Sequence, residues 1–221
     1  MIPLYDTVRS RRFPLVNILL ILVNVIAFFY EIQLRRSALQ AFVFQWGLIP
    51  SHFWKDPSTF WITIFTAMFL HGGWFHIISN MWVLYIFGDN VEERMGSLRY
   101  LIFYLLSGTA AGLLQAYVLP SSDQPMIGAS GAIAGVLGAY LILYPRSRIA
   151  SLVPLLFIFT IIEIPAFIFL LLWFGTQIYA GLFSVQGSGI AWWAHIGGFL
   201  FGVVMVWFFA TRRRTYYSGW Q

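Results

Sequence analysis

The chain has 221 residues, of which 60% are hydrophobic and only 10% charged, whereas a soluble domain is nearer ~45–50% apolar and ~25% charged. A water-soluble fold is therefore excluded, and a bilayer protein is indicated, because membrane spans need about 20 apolar residues with few charges. The net charge of +5 does not signal nucleic acid. Its basic residues cluster at Arg9, Arg11 and Arg12 and at Arg212, Arg213 and Arg214, flanking apolar runs as topology signals do.

Taken in chain order, the apolar runs predict an all-α protein of six transmembrane helices. The first covers about Pro14–Glu31, with Pro14 placed for a helix start. This run is long and lacks a small-residue cleavage site, so it reads as a retained helix and not a signal peptide. The segment Gln33–Leu70, aromatic and partly apolar with Pro50 and Pro57, reads as interfacial. The second, third and fourth helices cover about Trp74–Val91, Leu98–Leu119 and Ser130–Tyr144, the last stopped by Pro145. Residues Ile149 to Phe183 are apolar for too long to form one span. Glu163 and Pro165 break the run and act as helix-start signals. The fifth helix is therefore expected from about Ile164 to Phe183, after an interfacial or partly inserted connection over Ile149–Ile162. The sixth covers about Ala191–Ala210. No repeat or second domain is visible. The chain reads as one domain over residues 1–221, with short cytoplasmic tails at about 1–13 and 211–221.

Six spans put both termini on one side. With the termini inside, Arg9, Arg11, Arg12, Arg94, Arg99, Arg146, Arg148, Arg212, Arg213 and Arg214 are inside, and Arg35, Arg36 and Lys55 are outside. Ten against three makes both termini cytoplasmic, in what is expected to be a bacterial plasma membrane.

Three clusters carry chemistry. Gly128-Ala129-Ser130-Gly131 opens the fourth helix, HGGWFHIISN (His71 to Asn80) opens the second, and Ala194-His195-Ile196-Gly197-Gly198 opens the sixth. Alone, GxSG in a membrane helix reads as close packing of small residues, and a lone intramembrane His as a hydrogen-bonded structural group. Depth links them. From Ser130 to the inner end at Pro145 is about 15 residues, roughly 22 Å. His195 lies about 17 residues, roughly 25 Å, before Arg212, and His76 about 16 residues, roughly 24 Å, before Glu92. The core is about 30 Å thick, so all three fall at similar depth below the outer face. Exposure to lipid is costly for each, which favours convergence inside. Gly131, Gly135 and Gly138 mark one face of the fourth helix, and His195, Gly198 and Gly202 one face of the sixth, so these backbones can approach closely.

A serine hydroxyl needs a base to become a nucleophile, and His195 can serve Ser130 so. His76 and Asn80, four apart on one helix face, can donate hydrogen bonds to an oxyanion. Free N–H groups at the helix start by Ser130 can assist. Asn80 alone would read as an interhelical contact.

These clusters, in this order on the second, fourth and sixth spans, resemble the signature of the rhomboid intramembrane serine proteases. Gly88-Asp89-Asn90-Val91-Glu92-Glu93-Arg94-Met95-Gly96 also resembles that family's glutamate-containing motif. The resemblance covers roughly Phe69 to Gly202. It implies a six-helix bundle with a Ser–His dyad in a water-filled outer cavity. Ser130 is then the nucleophile, His195 the base, His76 and Asn80 the oxyanion donors, and His71 a structural residue. No cofactor or metal is implied. The implied partners are the lipid bilayer and single-span membrane substrates with small, helix-weakening residues near the bond. By fold analogy the fifth helix, with Trp173 and Phe174, is a candidate lateral gate against the second.

Two positions depart from the pattern. Trp61-Ile62-Thr63 replaces the family's Trp-Arg in the first outer loop. Ala134 stands where many relatives carry an aromatic stacked on the histidine, so another group must orient His195. No carboxylate is expected to complete a triad: of the eight acids only Glu31, Asp56 and Asp123 fall outside, each in or beside a loop. The competing readings are a non-enzymatic rhomboid-like binder of membrane helices, which would need no competent dyad, and a small transporter, which would need paired mid-membrane charges that the sequence lacks. A zinc protease is weaker, since no HExxH occurs.

Overall fold

The computed structural model describes residues 1–155, 158–183 and 189–211. Arg212, Arg213 and Arg214, with nearly all of the expected C-terminal tail, lie outside these. The protein is mostly helical. Strand β1 (Ile2–Asp6) is followed by α1 (Leu15–Glu31), then by the short helices α2 (Arg36–Trp46), α3 (Pro50–Lys55), α4 (Pro57–Phe60) and α5 (Thr63–Thr66). Next come α6 (Trp74–Met95), α7 (Ser97–Val118) and α8 (Ser130–Leu143), strands β2 (Arg148–Leu155) and β3 (Ile158–Pro165), and helices α9 (Ala166–Phe183) and α10 (Trp192–Phe209). Among the described residues, the six longest helices coincide within a few residues with the six apolar runs. By length and composition α7, α9 and α10 can each cross a bilayer, while α1 and α8 are apolar but shorter.

Helix α8 forms the centre. Every residue from Gly131 to Tyr140 is buried, as expected of a helix apolar on all sides. Its neighbours are α6, α7, α9 and α10. Gly198 and Gly202 bring α10 against it backbone to backbone. A Cβ on Gly198 would collide with the carbonyl oxygen of Gly131, and one on Gly202 with that of Gly135.

The glutamate motif on α6 has a structural task. Pro14 gives α1 no side-chain cap, so the first N–H groups of α1 need acceptors. Glu92 supplies them, accepting from the N–H of Val16 at 3.1 Å and of Asn17 at 2.8 Å, and from the Ser97 hydroxyl at 2.6 Å. A carboxylate at a helix N-terminus is also favoured by the helix dipole. Gly96 alone separates α6 from α7, with a φ of +81° that a residue bearing a Cβ adopts only with strain.

The sheet departs from the all-α expectation. Strands β2 and β3 form an antiparallel hairpin, Arg148 opposite Pro165 and Ile149 opposite Ile164, over the stretch Ile149–Ile162 expected as an interfacial or partly inserted connection in an all-α chain. Strand β1 adds to β2, Ile2 opposite Leu152, within what reads from sequence as a free tail. An apolar segment must pair its backbone groups internally, and this stretch, rich in Ile with Val and Thr, does so as strands. The Trp82 indole N–H donates to the Pro3 carbonyl at 2.6 Å, tying β1 to α6. At the other end of β1, Asp6 accepts from the Tyr140 hydroxyl and from Asn90 Nδ2 at 2.9 Å. Burial pushes the Asp6 carboxyl up to about 6.

Candidate active site

Ser130 is the first residue of α8, directly after the N-cap position Ala129. Its Oγ lies 2.8 Å from Nε2 of His195, in the first turn of α10. The glycine contacts between α8 and α10 make this distance possible, because bulkier residues would hold the two backbones apart. The start of α10 is itself held: the Ala194 N–H, shared with the Ala191 carbonyl at 3.0 Å, also donates to Oε1 of the buried Gln115 on α7 at 3.1 Å.

Helix α6 contributes the facing groups. Gly128, two residues before Ser130, has a φ of +122°, and a Cβ there would lie 2.7 Å from His76 Nε2 and 3.7 Å from Asn80 Nδ2. His76 and Asn80 therefore converge on the backbone that leads into Ser130. His76 Nδ1 accepts the Gly72 N–H at 3.3 Å. In a neutral ring that leaves the proton on Nε2, the nitrogen nearest Gly128, as a donor. Asn80 Nδ2 is buried with no hydrogen-bond acceptor in the protein. Two potential donors thus lie near the Gly128 backbone, two residues before Ser130. A cavity of about 20 Å³ adjoins Ser130, lined in part by Ala67, Met68, Gly108, Ala111 and Met126. It has room for a water or a small side chain.

The histidine has neighbours that the sequence does not assign to it. Ala134 is buried and carries no ring to stack on it. Instead the Trp173 ring of α9 lies at 6.1 Å and 35°, and the Trp192 ring meets the imidazole edge at 6.0 Å and 88°. His195 Nδ1 lies 2.8 Å from Oε1 of Gln177 on α9. The available signal was an amide in an otherwise apolar span, where a polar side chain is costly unless it has a task. Phe174, grouped with Trp173 as a candidate gate residue, stacks on Phe199 of α10 at 4.4 Å.

The outer acids have other partners. Glu31 is buried, not loop-exposed, and accepts the His71 N–H at 3.1 Å. Asp56 caps α4, and its hydrogen bonds with Ser58 and Thr59 hold it below the usual carboxylate range. Asp123 accepts from the Ser51 hydroxyl at 2.5 Å. Among the described residues, no carboxylate hydrogen-bonds to His195. His71 packs edge-on against His76, with ring centroids 5.0 Å apart. In the departing loop segment, Trp61 is exposed and Thr63 bonds locally to the Phe60 carbonyl at 2.6 Å.

Ser130 and His195 thus meet between two tightly packed apolar helices. Residues 58–212 match the rhomboid domain family, and the chain belongs to the rhomboid family of integral membrane proteins. It is similar to RHOMBOID-like protein 6, mitochondrial, of Arabidopsis thaliana, at 33% identity over 165 residues, 72% of this chain and 46% of that protein. It is also similar to Rhomboid-like protein 11, chloroplastic, of the same plant, at 33% over 156 residues, 66% of this chain and 52% of that protein. Rhomboid-like protease 5 of Toxoplasma gondii is 32% identical over 167 residues, 70% of this chain and 17% of that protein. The chain spans about half the length of the two plant relatives.

Proposed function

We propose that this protein is an intramembrane serine endopeptidase that cleaves single-span membrane proteins near the outer end of their transmembrane helix. The observation that carries the reading is the 2.8 Å contact between Ser130 Oγ and His195 Nε2, with two donors from α6 converging beside it. Family membership and the protease named among the relatives support it.

In this mechanism His195 Nε2 takes the Ser130 proton as Oγ attacks the scissile carbonyl. His76 Nε2–H, Asn80 Nδ2 and the free N–H groups at the start of α8 stabilise the oxyanion. The C–N bond then breaks, and the leaving amine receives the proton from Nε2. Water, activated by the same nitrogen, hydrolyses the acyl-enzyme. A helical substrate must unwind first, since its carbonyls are already hydrogen-bonded. The small cavity at Ser130 favours small side chains next to the bond.

The proposal includes six spans, formed by α1 and α6 to α10, in one domain with both termini inside. The Lys and Arg distribution supports this orientation. A bacterial plasma membrane is the proposed location; the mitochondrial and chloroplast names belong to the plant relatives. Purified protein in liposomes should cleave a single-span substrate and react with a fluorophosphonate probe. Absence of both in folded protein would favour a helix-binding role without catalysis.

A further inference from the structure

The dyad has a third member in contact with it, and it is an amide. Gln177 is 5% exposed in the middle of an apolar helix. Its Oε1 lies 2.8 Å from His195 Nδ1. Its Nε2 lies 3.1 Å from the Trp173 carbonyl and 2.9 Å from the Thr176 hydroxyl oxygen. The Thr176 hydroxyl donates to the same Trp173 carbonyl at 2.6 Å, so its proton is already committed and its oxygen can accept. These acceptors fix which end of the amide is which. A flipped amide would set its oxygen against a carbonyl and place its NH₂ on the imidazole.

We propose that Gln177 is a positioning residue for the base, holding His195 in the Nδ1–H tautomer with Nε2 free to accept the Ser130 proton. This rests on the proteolytic reading above. The two tryptophan rings restrain the plane of the imidazole, but ring contacts do not choose between its tautomers. A hydrogen bond at Nδ1 does. The amide oxygen also remains an acceptor when the ring becomes imidazolium. A carboxylate there would stabilise that cation more strongly but would carry the desolvation cost of a buried charge. An amide selects the tautomer without that cost, as the Asn of Cys–His–Asn proteases does. A plain packing contact between α9 and α10 would not require the ordered chain from Trp173 through Thr176 and Gln177 to His195.

The test uses full-length protein in liposomes, with Gln177→Met, which keeps length and removes the acceptor, and Gln177→Glu, which keeps an acceptor oxygen. Steady-state cleavage of a single-span substrate is measured alongside ¹⁵N spectra of labelled histidines, the His195 signals being assigned by their loss in His195→Ala. The expected result is Nδ1–H at His195 in the native protein and in Gln177→Glu, and a tautomer mixture in Gln177→Met. Gln177→Met should lose about tenfold to hundredfold in kcat with KM within about twofold, and Gln177→Glu should keep kcat within about tenfold of native. An Nε2–H tautomer in the native protein, or native kcat in Gln177→Met, would overturn the proposal. Native protein that cleaves nothing yet holds Nδ1–H, lost in Gln177→Met, would count against proteolysis and for the hydrogen bond.

Discussion

The carbonyl oxygen of Gly131 occupies the place where a Cβ on Gly198 would stand. One residue before Gly131 is Ser130, and three before Gly198 is His195, so a close backbone approach lies next to the pair. Gly198→Ala should push α10 off α8 and lengthen the 2.8 Å contact. Overpacking of this kind costs about 1–3 kcal/mol. The expected outcome is a lower midpoint in thermal unfolding and a loss of turnover larger than the loss of folded protein. Turnover and midpoint equal to native would show that the helices can separate without consequence.

Ser130→Ala and His195→Ala should each abolish cleavage and probe labelling. Because the two act in one proton transfer, the double variant should be no slower than either single variant. Residual rates, measured at high enzyme concentration, would separate these cases: a double variant much slower than both singles would mean that the residues serve different steps.

Asn80→Ala and His76→Ala should retain activity at a reduced level. Loss of one oxyanion donor costs about 10²–10³ in rate. Since Asn80 Nδ2 has no acceptor in the protein, its removal should leave stability nearly unchanged, and circular dichroism melts can check this. Native kcat in both variants would leave the backbone amides of α8 as the only donors.

Orientation can be read by thiol labelling, because the chain has no cysteine of its own. Ser122→Cys should react with an impermeant maleimide from outside intact cells, and Ser147→Cys should react only after permeabilisation. The opposite pattern would invert the topology and move Ser130 toward the cytoplasmic face.

The helices were legible because apolar runs bounded by Pro, Gly and Arg state their own limits. Ser130, His195, His76 and Asn80 stood out because chemically capable side chains are rare in such runs, and the structure sets Ser130 Oγ against His195 Nε2. The hairpin was not. Arg148–Leu155 and Ile158–Pro165 are as apolar as the helices around them, and in a chain of this composition such a stretch reads first as membrane-embedded. The shortness of its two β-branched runs was the available sign. Gln177 was visible as an odd residue, but the direction it faces depends on the rotation of α9 against α10. Packing sets that rotation, and no single-helix pattern encodes it.

Helix α9 begins where β3 ends, Pro165 adjoining Ala166 with no loop between them, and Gln177 is its twelfth residue. A swing of α9 by as little as about 1 Å takes the 2.8 Å contact with His195 out of hydrogen-bonding range. If α9 is the panel through which a substrate enters, admission slows cutting: the base is held less firmly while the doorway is open and is fully positioned only when it shuts. A transmembrane segment too rigid to let α9 return would then be cut slowly, so the same helix would act as a timer that discriminates substrates by how quickly they yield the doorway, independently of the residues flanking the scissile bond.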